Sequence, residues 1–254
     1  QRNWEIESAM DPKAMATTYE INEAINWLED TPQIHEVLVT GGDPLGMDDS
    51  VFFSIIDRIS KIPHVEVIRI GSRIPVVLPM RLTEEFCERL ASYRRPGDLE
   101  ICVSTHVQHP YEITPEFVEG INNLKSRGIT IFNQLVYVFT SSRRFESATL
   151  RSLLRRVGVD PYYTFVPKGK LETAAYRVPI PRLMMEQREE SRLYPGCRRT
   201  DEVVYNVPGL GKNHLRGTHD RQWLSVLPDG ARVYEFHAWE KGVIQRDTYL
   251  GEDV

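Results

Sequence analysis

The stretch VLVTGGDPL, Val37–Leu45, joins a short β-branched run to two glycines, an aspartate and a proline. Such a run predicts a buried strand, and the glycines predict a tight turn at its carboxyl end. Similar runs recur along the chain at intervals of about thirty residues. The five predicted strands are Glu36–Gly42, Glu66–Arg73, Glu100–Thr105, Thr130–Tyr137 and Asp160–Val166.

Amphipathic stretches with helix-start signals lie beside and between these runs. The predicted helices are Thr17–Leu28, Asp49–Ile59, Thr83–Leu90, one that begins at Thr114-Pro115, and Ser147–Val157. This alternation predicts an α/β fold with right-handed βαβ units and a parallel sheet, as in a full or partial barrel. An open doubly wound sheet is the alternative.

The alternation ends near residue 195. Glu202–Val207 predicts a further strand, and Trp223–Leu227 with Arg232–Phe236 predicts a β-hairpin. We therefore predict a barrel over residues 1–195 and a C-terminal extension, 196–254, packed on it.

Composition excludes several classes of protein. The net charge of −5 argues against a nucleic-acid surface. No apolar run is long enough to cross a bilayer and no signal peptide opens the sequence, so a cytoplasmic location is expected. Cys87, Cys102 and Cys197 lie far apart in the sequence, which indicates neither a disulfide framework nor a metal site in this chain.

Polar residues cluster where the predicted strands end, the position of active sites in parallel barrels. These residues are Gly41-Gly42-Asp43, Ser72-Arg73, His106 with His109, Asn133-Gln134, and Lys168. Together they predict a polar ligand with anionic groups. Taken singly, the glycine motif is equally typical of a turn with Asp43 as a helix cap, and the histidines of structural side chains.

The string Gly209-Leu210-Gly211-Lys212 presents one lysine after two glycines. It is not a P-loop, because Asn206 and Asn213 replace the required first glycine and hydroxyl residue. A lysine on a flexible loop suits a Schiff base to pyridoxal phosphate, although most such lysines are simply exposed.

Lys168 with Asn206 resembles the glutamate-acting branch of the lysine 2,3-aminomutase family of radical S-adenosylmethionine enzymes, and several strings, in order along the chain, resemble that family as a whole. They are VLVTGGDPL (37–45), IRIGSRIPVVLPMR (68–81), STHVQHPYEIT (104–114), Asn133-Gln134, and DPYYTF (160–165). The resemblance implies a partial parallel barrel, a [4Fe–4S] cluster, S-adenosylmethionine, pyridoxal phosphate, and movement of an amino group from Cα to Cβ of an amino acid.

The resemblance also assigns residues. Gly41, Gly42 and Asp43 match the motif near the methionyl part of S-adenosylmethionine, and Lys212 matches the Schiff-base lysine. The remaining cofactor-binding assignments are Ser72, Arg73, His109 and Gln134.

Three further matches concern the substrate. Arg2 matches an arginine that holds the substrate α-carboxylate. Lys168 and Asn206 stand where lysine-acting members carry two aspartates, so charge favours an acidic substrate, most simply L-glutamate converted to β-glutamate. Alternatives are that Lys170 is the relevant lysine, that the substrate is lysine or arginine, or that the chain is a cluster-less homologue that binds pyridoxal phosphate or an amino acid.

In the family, the arginine matched by Arg2 follows a Cys-x-x-x-Cys-x-x-Cys motif that holds the cluster, and the three cysteines present lack that spacing. We therefore expect the cluster cysteines and a first barrel strand upstream of Gln1, and no activity from residues 1–254 alone. An electron donor for the cluster and a homo-oligomer are also expected, with no nucleic-acid or membrane partner.

Overall fold

The computed structural model describes residues 16–167, 175–207, 211–217, 221–237 and 248–253. The strands are β1 (Glu36–Val39), β2 (Val67–Gly71), β3 (Glu100–Thr105), β4 (Thr130–Val136), β5 (Asp160–Val166), β6 (Glu202–Val207), β7 (Gly211–His214), β8 (Arg221–Val226), β9 (Arg232–His237) and β10 (Thr248–Asp253). The helices are α1 (Thr18–Glu29), α2 (Asp49–Ile59), α3 (Ile74–Val77), α4 (Glu84–Ala91), α5 (Pro115–Lys125), α6 (Glu146–Val157) and α7 (Ile180–Glu190). In these ranges no helix is long and apolar enough to cross a membrane.

The main sheet has the order β1-β2-β3-β4-β5-β6-β7, so neighbours in the sheet are also neighbours along the chain. The pairs β1–β2, β2–β3 and β5–β6 are parallel, and β7 returns antiparallel to β6. A doubly wound sheet requires the strand order to reverse at a switch point. The sequential order excludes that alternative. Strands β8, β9 and β10 form a separate antiparallel sheet.

All five strands predicted for the barrel are present, β3 and β5 with the predicted bounds. The predicted strand Glu202–Val207 is β6, which pairs parallel with β5 and so continues the sheet. The predicted hairpin is formed by β8 and β9. The structure adds α3, α7, β7 and β10, which the sequence did not predict. The division at residues 195 and 196 stays a prediction.

Contacts divide the chain into two compact units, the first formed by residues up to His106 together with Thr114–Phe132. Its predicted helices begin where the sequence indicates: the Thr17 and Thr83 side chains cap α1 and α4, and Thr114 caps α5. Apolar residues of these helices, among them Leu28, Leu90 and Phe117, are buried, as are Ile68 and Ile70 of β2. Local capping and amphipathic patterning therefore account for this unit.

The second unit contains Val107–Ile113 and the residues from Asn133 onward. Asn133 is 3% exposed, and its side-chain amide is hydrogen-bonded to the first of these segments. Its Oδ1 accepts from the Val107 N–H at 2.7 Å, and its Nδ2 donates to the Val107 carbonyl at 3.1 Å. One side chain thus satisfies both backbone groups of Val107, as a neighbouring strand would. This bond fixes the segment that carries His109.

A buried group of charges lies between α6, α7 and the start of β6 in the second unit. Arg151 pairs with Glu190, and its Nη1 lies 3.5 Å from Asp201. Each of these three side chains is no more than 3% exposed. Glu186, also buried, accepts from the Tyr137 hydroxyl at 3.0 Å and from Arg182 at 2.6 Å. The inner face of α7 therefore packs through paired carboxylates as well as apolar side chains.

Candidate active site

In the first unit, the turn after β1 is joined to the turn after β2 by the Asp43 carboxylate. Oδ1 accepts from the Leu45 N–H at 3.1 Å and from the Ser72 hydroxyl at 2.6 Å. Oδ2 accepts from the N–H groups of Arg73 at 2.6 Å and Ile74 at 3.2 Å. The Ser72 hydroxyl in turn accepts from the Ile74 N–H at 3.0 Å. Asp43 and Ser72 are thus engaged with one another and with backbone.

The backbone of the two glycines before Asp43 leaves space for a ligand. Gly41 has a φ of +154°, in a region that L side chains rarely adopt, and a Cβ built at Gly42 would meet nothing within 4 Å. A fixed turn with an open glycine face allows a ligand to approach the backbone closely. The residues therefore fit the methionyl contact assigned to S-adenosylmethionine through the glycine backbone, with Asp43 holding the turn in place.

His109 lies in Val107–Ile113, the segment of the second unit that is hydrogen-bonded to Asn133. Both of its ring nitrogens have partners. Nδ1 accepts from the Tyr111 N–H at 3.2 Å, so Nδ1 carries no proton and Nε2 is the donor. Nε2 lies 2.7 Å from Glu146 Oε1. The side chain therefore caps a short 3₁₀ turn, Pro110–Glu112, and links it to α6. This geometry matches the structural role considered above; the cofactor role stays a prediction.

One face of strands β5, β6 and β7 carries the predicted Schiff-base lysine. Asn206 lies directly opposite Lys212 in the antiparallel β6–β7 pair, and Val204 lies opposite His214. The β5–β6 register places Tyr163 and Phe165 in the same rows as Glu202 and Val204. Because side chains alternate along a strand, these residues share one face. Apart from the buried Val204, they are half-buried.

The opposite face of these strands forms part of the core. It contributes Val166, Val203, Val207 and Leu215, which pack with the α7 residue Leu183. The half-buried face is therefore the one available to a ligand. It is more polar than the core face, since it carries a primary amine, an amide, an imidazole and a carboxylate.

Lys212 was predicted in a loop, and the structure places it on β7. Its Nζ lies 5.0 Å from the centroid of the Tyr163 ring. The residues fit pyridoxal phosphate in the chemistry that its aldehyde requires, a primary amine on a partly buried face. Asn206 and Lys212 were both predicted as site residues, and the structure makes them cross-strand neighbours.

The other predicted residues are distributed as follows. Gln134 lies on the half-buried face of β4, between the buried Asn133 and Leu135. Arg73 is exposed at the start of α3. Arg2 and Lys168 lie outside the described residues, as does Lys170.

Sequence reasoning did not single out Tyr163, His214 or Glu202 as site residues. His214 Nδ1 lies 3.8 Å from Glu202 Oε2, and the His214 ring lies 6.4 Å from that of Tyr163. The alternation of aromatic residues at positions 163 and 165 was the available signal for Tyr163. The other two could be found only through the pairing of β6 with β7.

The described residues do not fit an iron–sulfur cluster. They contain no group of three or more His, Cys, Asp or Glu side chains arranged to hold a metal. Cys87 and Cys102 are buried, and desolvation raises the pKa of Cys87 to about 11 and that of Cys102 to about 12. Cluster ligation requires thiolates, which burial disfavours here.

Comparison with known proteins places the chain among longer relatives. No family model matches it. An uncharacterized KamA family protein of Methanocaldococcus jannaschii is 44% identical over all 254 residues, which cover 40% of that protein. A glutamate 2,3-aminomutase of Clostridioides difficile is 30% identical over 92% of this chain and 53% of its own length. An L-lysine 2,3-aminomutase of Fusobacterium nucleatum is 37% identical over 63% of this chain and 37% of its own. The chain thus spans about half or less of these relatives.

Among solved structures, Streptococcus suis SuiB bound to S-adenosylmethionine is similar with a TM-score of 0.51 and 10% identity. The match covers 78% of this chain and 57% of that one. At this identity the likeness shows the fold alone, and it confirms the predicted class, a parallel partial barrel.

Proposed function

Because the chain belongs to the lysine 2,3-aminomutase family, we propose that it forms part of an isomerase that moves an amino group from Cα to Cβ of an amino acid. The observation that carries this proposal is the pairing of Asn206 with Lys212 on the half-buried face of β6 and β7. It brings together a residue assigned to the substrate and the lysine assigned to pyridoxal phosphate.

When bound, S-adenosylmethionine with a reduced cluster would supply hydrogen-atom abstraction, and pyridoxal phosphate would supply the carbon that holds the amino nitrogen. The Gly41-Gly42 backbone would contact the methionyl group, held in place by Asp43. Lys212 would hold pyridoxal phosphate through Nζ. The described residues offer no ligands for the cluster, so the cluster, its electron donor and a homo-oligomer remain proposals for the complete protein.

We infer that the substrate is L-glutamate. The glutamate-acting relative matches 92% of the chain, against 63% for the lysine-acting relative from Fusobacterium. The Asn206 amide can donate to a carboxylate, and Lys168 in the sequence adds a cation. L-lysine is the second candidate, because the Fusobacterium lysine enzyme is 37% identical to this chain, against 30% for the glutamate enzyme, although over a shorter match.

The test uses the complete protein that contains this chain, under anaerobic conditions with S-adenosylmethionine, pyridoxal phosphate and a chemical reductant. L-glutamate, L-lysine and L-arginine are supplied separately, and the β-amino acid product is measured by mass spectrometry. We expect β-glutamate from glutamate and no comparable product from lysine or arginine. Lys212→Arg keeps the charge and removes the nucleophilic amine, so it should abolish product formation.

Asn206→Asp is the matched test of the substrate. It replaces an amide donor with a carboxylate of nearly the same shape, so kcat/KM for glutamate should fall by roughly 30-fold or more. The isosteric change leaves the β6–β7 backbone pairing in place. Turnover of lysine but not glutamate by the unaltered protein would overturn the substrate inference. Product formation by Lys212→Arg at the unaltered rate would overturn the assignment of Lys212.

A further inference from the structure

An aromatic ring lies beneath the amine of Lys212. Tyr163 is on β5 and Lys212 is on β7, so the long lysine side chain reaches back across β6 on their shared face. The separation of 5.0 Å between Nζ and the ring centroid lies within the roughly 6 Å over which a cation is attracted to an aromatic face. Both side chains are half-buried, which strengthens this attraction relative to open solvent.

The Tyr163 ring is itself held by its neighbours. Its centroid lies 3.9 Å from that of Tyr162 and 5.3 Å from that of Phe165. The edge-on His214 ring, 6.4 Å away, lies on the strand that carries Lys212. A ring packed in this way presents its face without a large loss of side-chain entropy. The aromatic face is therefore preorganised for the lysine amine.

We propose that Tyr163 is a positioning residue that holds the ammonium group of Lys212 in the state in which this lysine carries no cofactor. The proposal rests on the assignment of Lys212 to pyridoxal phosphate. The ring attracts the ammonium form and not the neutral amine, while only the neutral amine attacks an aldehyde. Tyr163 thus holds the ammonium group beside the site, and the amine must leave the ring face before it attacks an aldehyde.

The experiment follows covalent attachment, not catalysis. The complete protein, freed of cofactor, is mixed with pyridoxal phosphate at neutral pH, and samples are reduced with borohydride at successive times. Peptide mapping then gives the rate at which Lys212 is labelled. In Tyr163→Leu the amine no longer has to leave the ring face before it attacks, so labelling should be about 2- to 10-fold faster. Tyr163→Phe keeps the ring face and should label at nearly the unaltered rate.

Phe165→Leu is the matched control, because it removes a ring of the same face that contacts Tyr163. We expect it to leave the labelling rate within about twofold of the unaltered protein, since it spares the Tyr163 face itself. General loosening of this face would change the labelling rate in both variants, so faster labelling in Tyr163→Leu alone identifies the effect of the Tyr163 ring. Labelling of Tyr163→Leu that is no faster than that of the unaltered protein would refute the role of Tyr163. Absence of label on Lys212 in the unaltered protein would instead refute the proposed cofactor site.

Discussion

Replacement of Arg151 by Met tests how the buried charges of the second unit hold α6 and α7 together. Arg151 is 3% exposed, pairs with Glu190 and lies near Asp201, and both carboxylates are 2% exposed. Met fills a similar volume without charge. The variant leaves two buried carboxylates without their shared cation. Breaking a buried pair in this way costs about 3–5 kcal/mol, and the second carboxylate places the expected loss at the upper end.

The loss should depend on pH, and the sign follows from Glu190. Burial raises the pKa of Glu190 above its usual value of 4.5, and Arg151 opposes that rise. In Arg151→Met the opposition is removed, so the pKa of Glu190 rises further. A carboxyl whose pKa is higher in the folded state stabilises the fold when protonated, and that contribution is lost as pH rises through the folded pKa. The loss of unfolding free energy in Arg151→Met should therefore be smaller at pH 5 than at pH 8.

The assay is hydrogen exchange followed by mass spectrometry on the complete protein, read in peptides from α6 and α7. Arg144→Met is the matched control, because Arg144 pairs with Glu189, the neighbour of Glu190, at 3.0 Å. Those side chains are 70% and 37% exposed, so the control should lose no more than about 1 kcal/mol. Equal losses in the two variants, or a larger loss at pH 5 for Arg151→Met, would refute the reasoning.

Two further predictions concern the first unit and the cysteines. Four donors converge on the two oxygens of the Asp43 carboxylate, and Asp43→Asn leaves one acceptor oxygen. The turn after β2 should therefore lose about 2–3 kcal/mol of protection from hydrogen exchange, measured in peptides that cover 72–78. A thiol reagent at pH 8 should label the exposed Cys197 and spare the buried Cys87 and Cys102. Burial raises the pKa of Cys87 to about 11 and that of Cys102 to about 12. Peptide mapping gives the labelled positions, and equal labelling of all three would contradict this prediction.

The sequence predicted the strands and helices whose buried residues are apolar. Strands β3 and β5 have the predicted bounds because their β-branched and aromatic runs end at polar residues. Helix α7 was missed because its buried residues include Glu186, Gln187 and Glu190 as well as Ile180 and Leu183. A helix that packs through paired carboxylates lacks the apolar period on which such predictions depend. Arg182 pairs with Glu186 within α7, but Arg151, the partner of Glu190, lies on α6, so no local pattern reveals that pair.

Strand β7 was missed for a related reason. Its residues, Gly211 to His214, include no β-branched side chain, and only pairing with β6 makes them a strand. The sequence therefore predicted Asn206 and Lys212 as site residues without indicating that they face each other. Register follows from strand pairing, and β7 has no strand pattern from which its pairing with β6 could be predicted.

The structure also separates the predicted site residues by where their side chains lie. Asp43 and Ser72 bond to each other and to backbone N–H groups, and His109 is bonded at both ring nitrogens. We expect side chains bonded in this way to act on a ligand mainly through the backbone that they hold. Lys212 and Asn206 instead lie on a half-buried strand face opposite the core. We therefore expect the glycine motif to contact a ligand through its main chain, where Gly42 leaves open space, and the side-chain chemistry to lie with the β6–β7 pair.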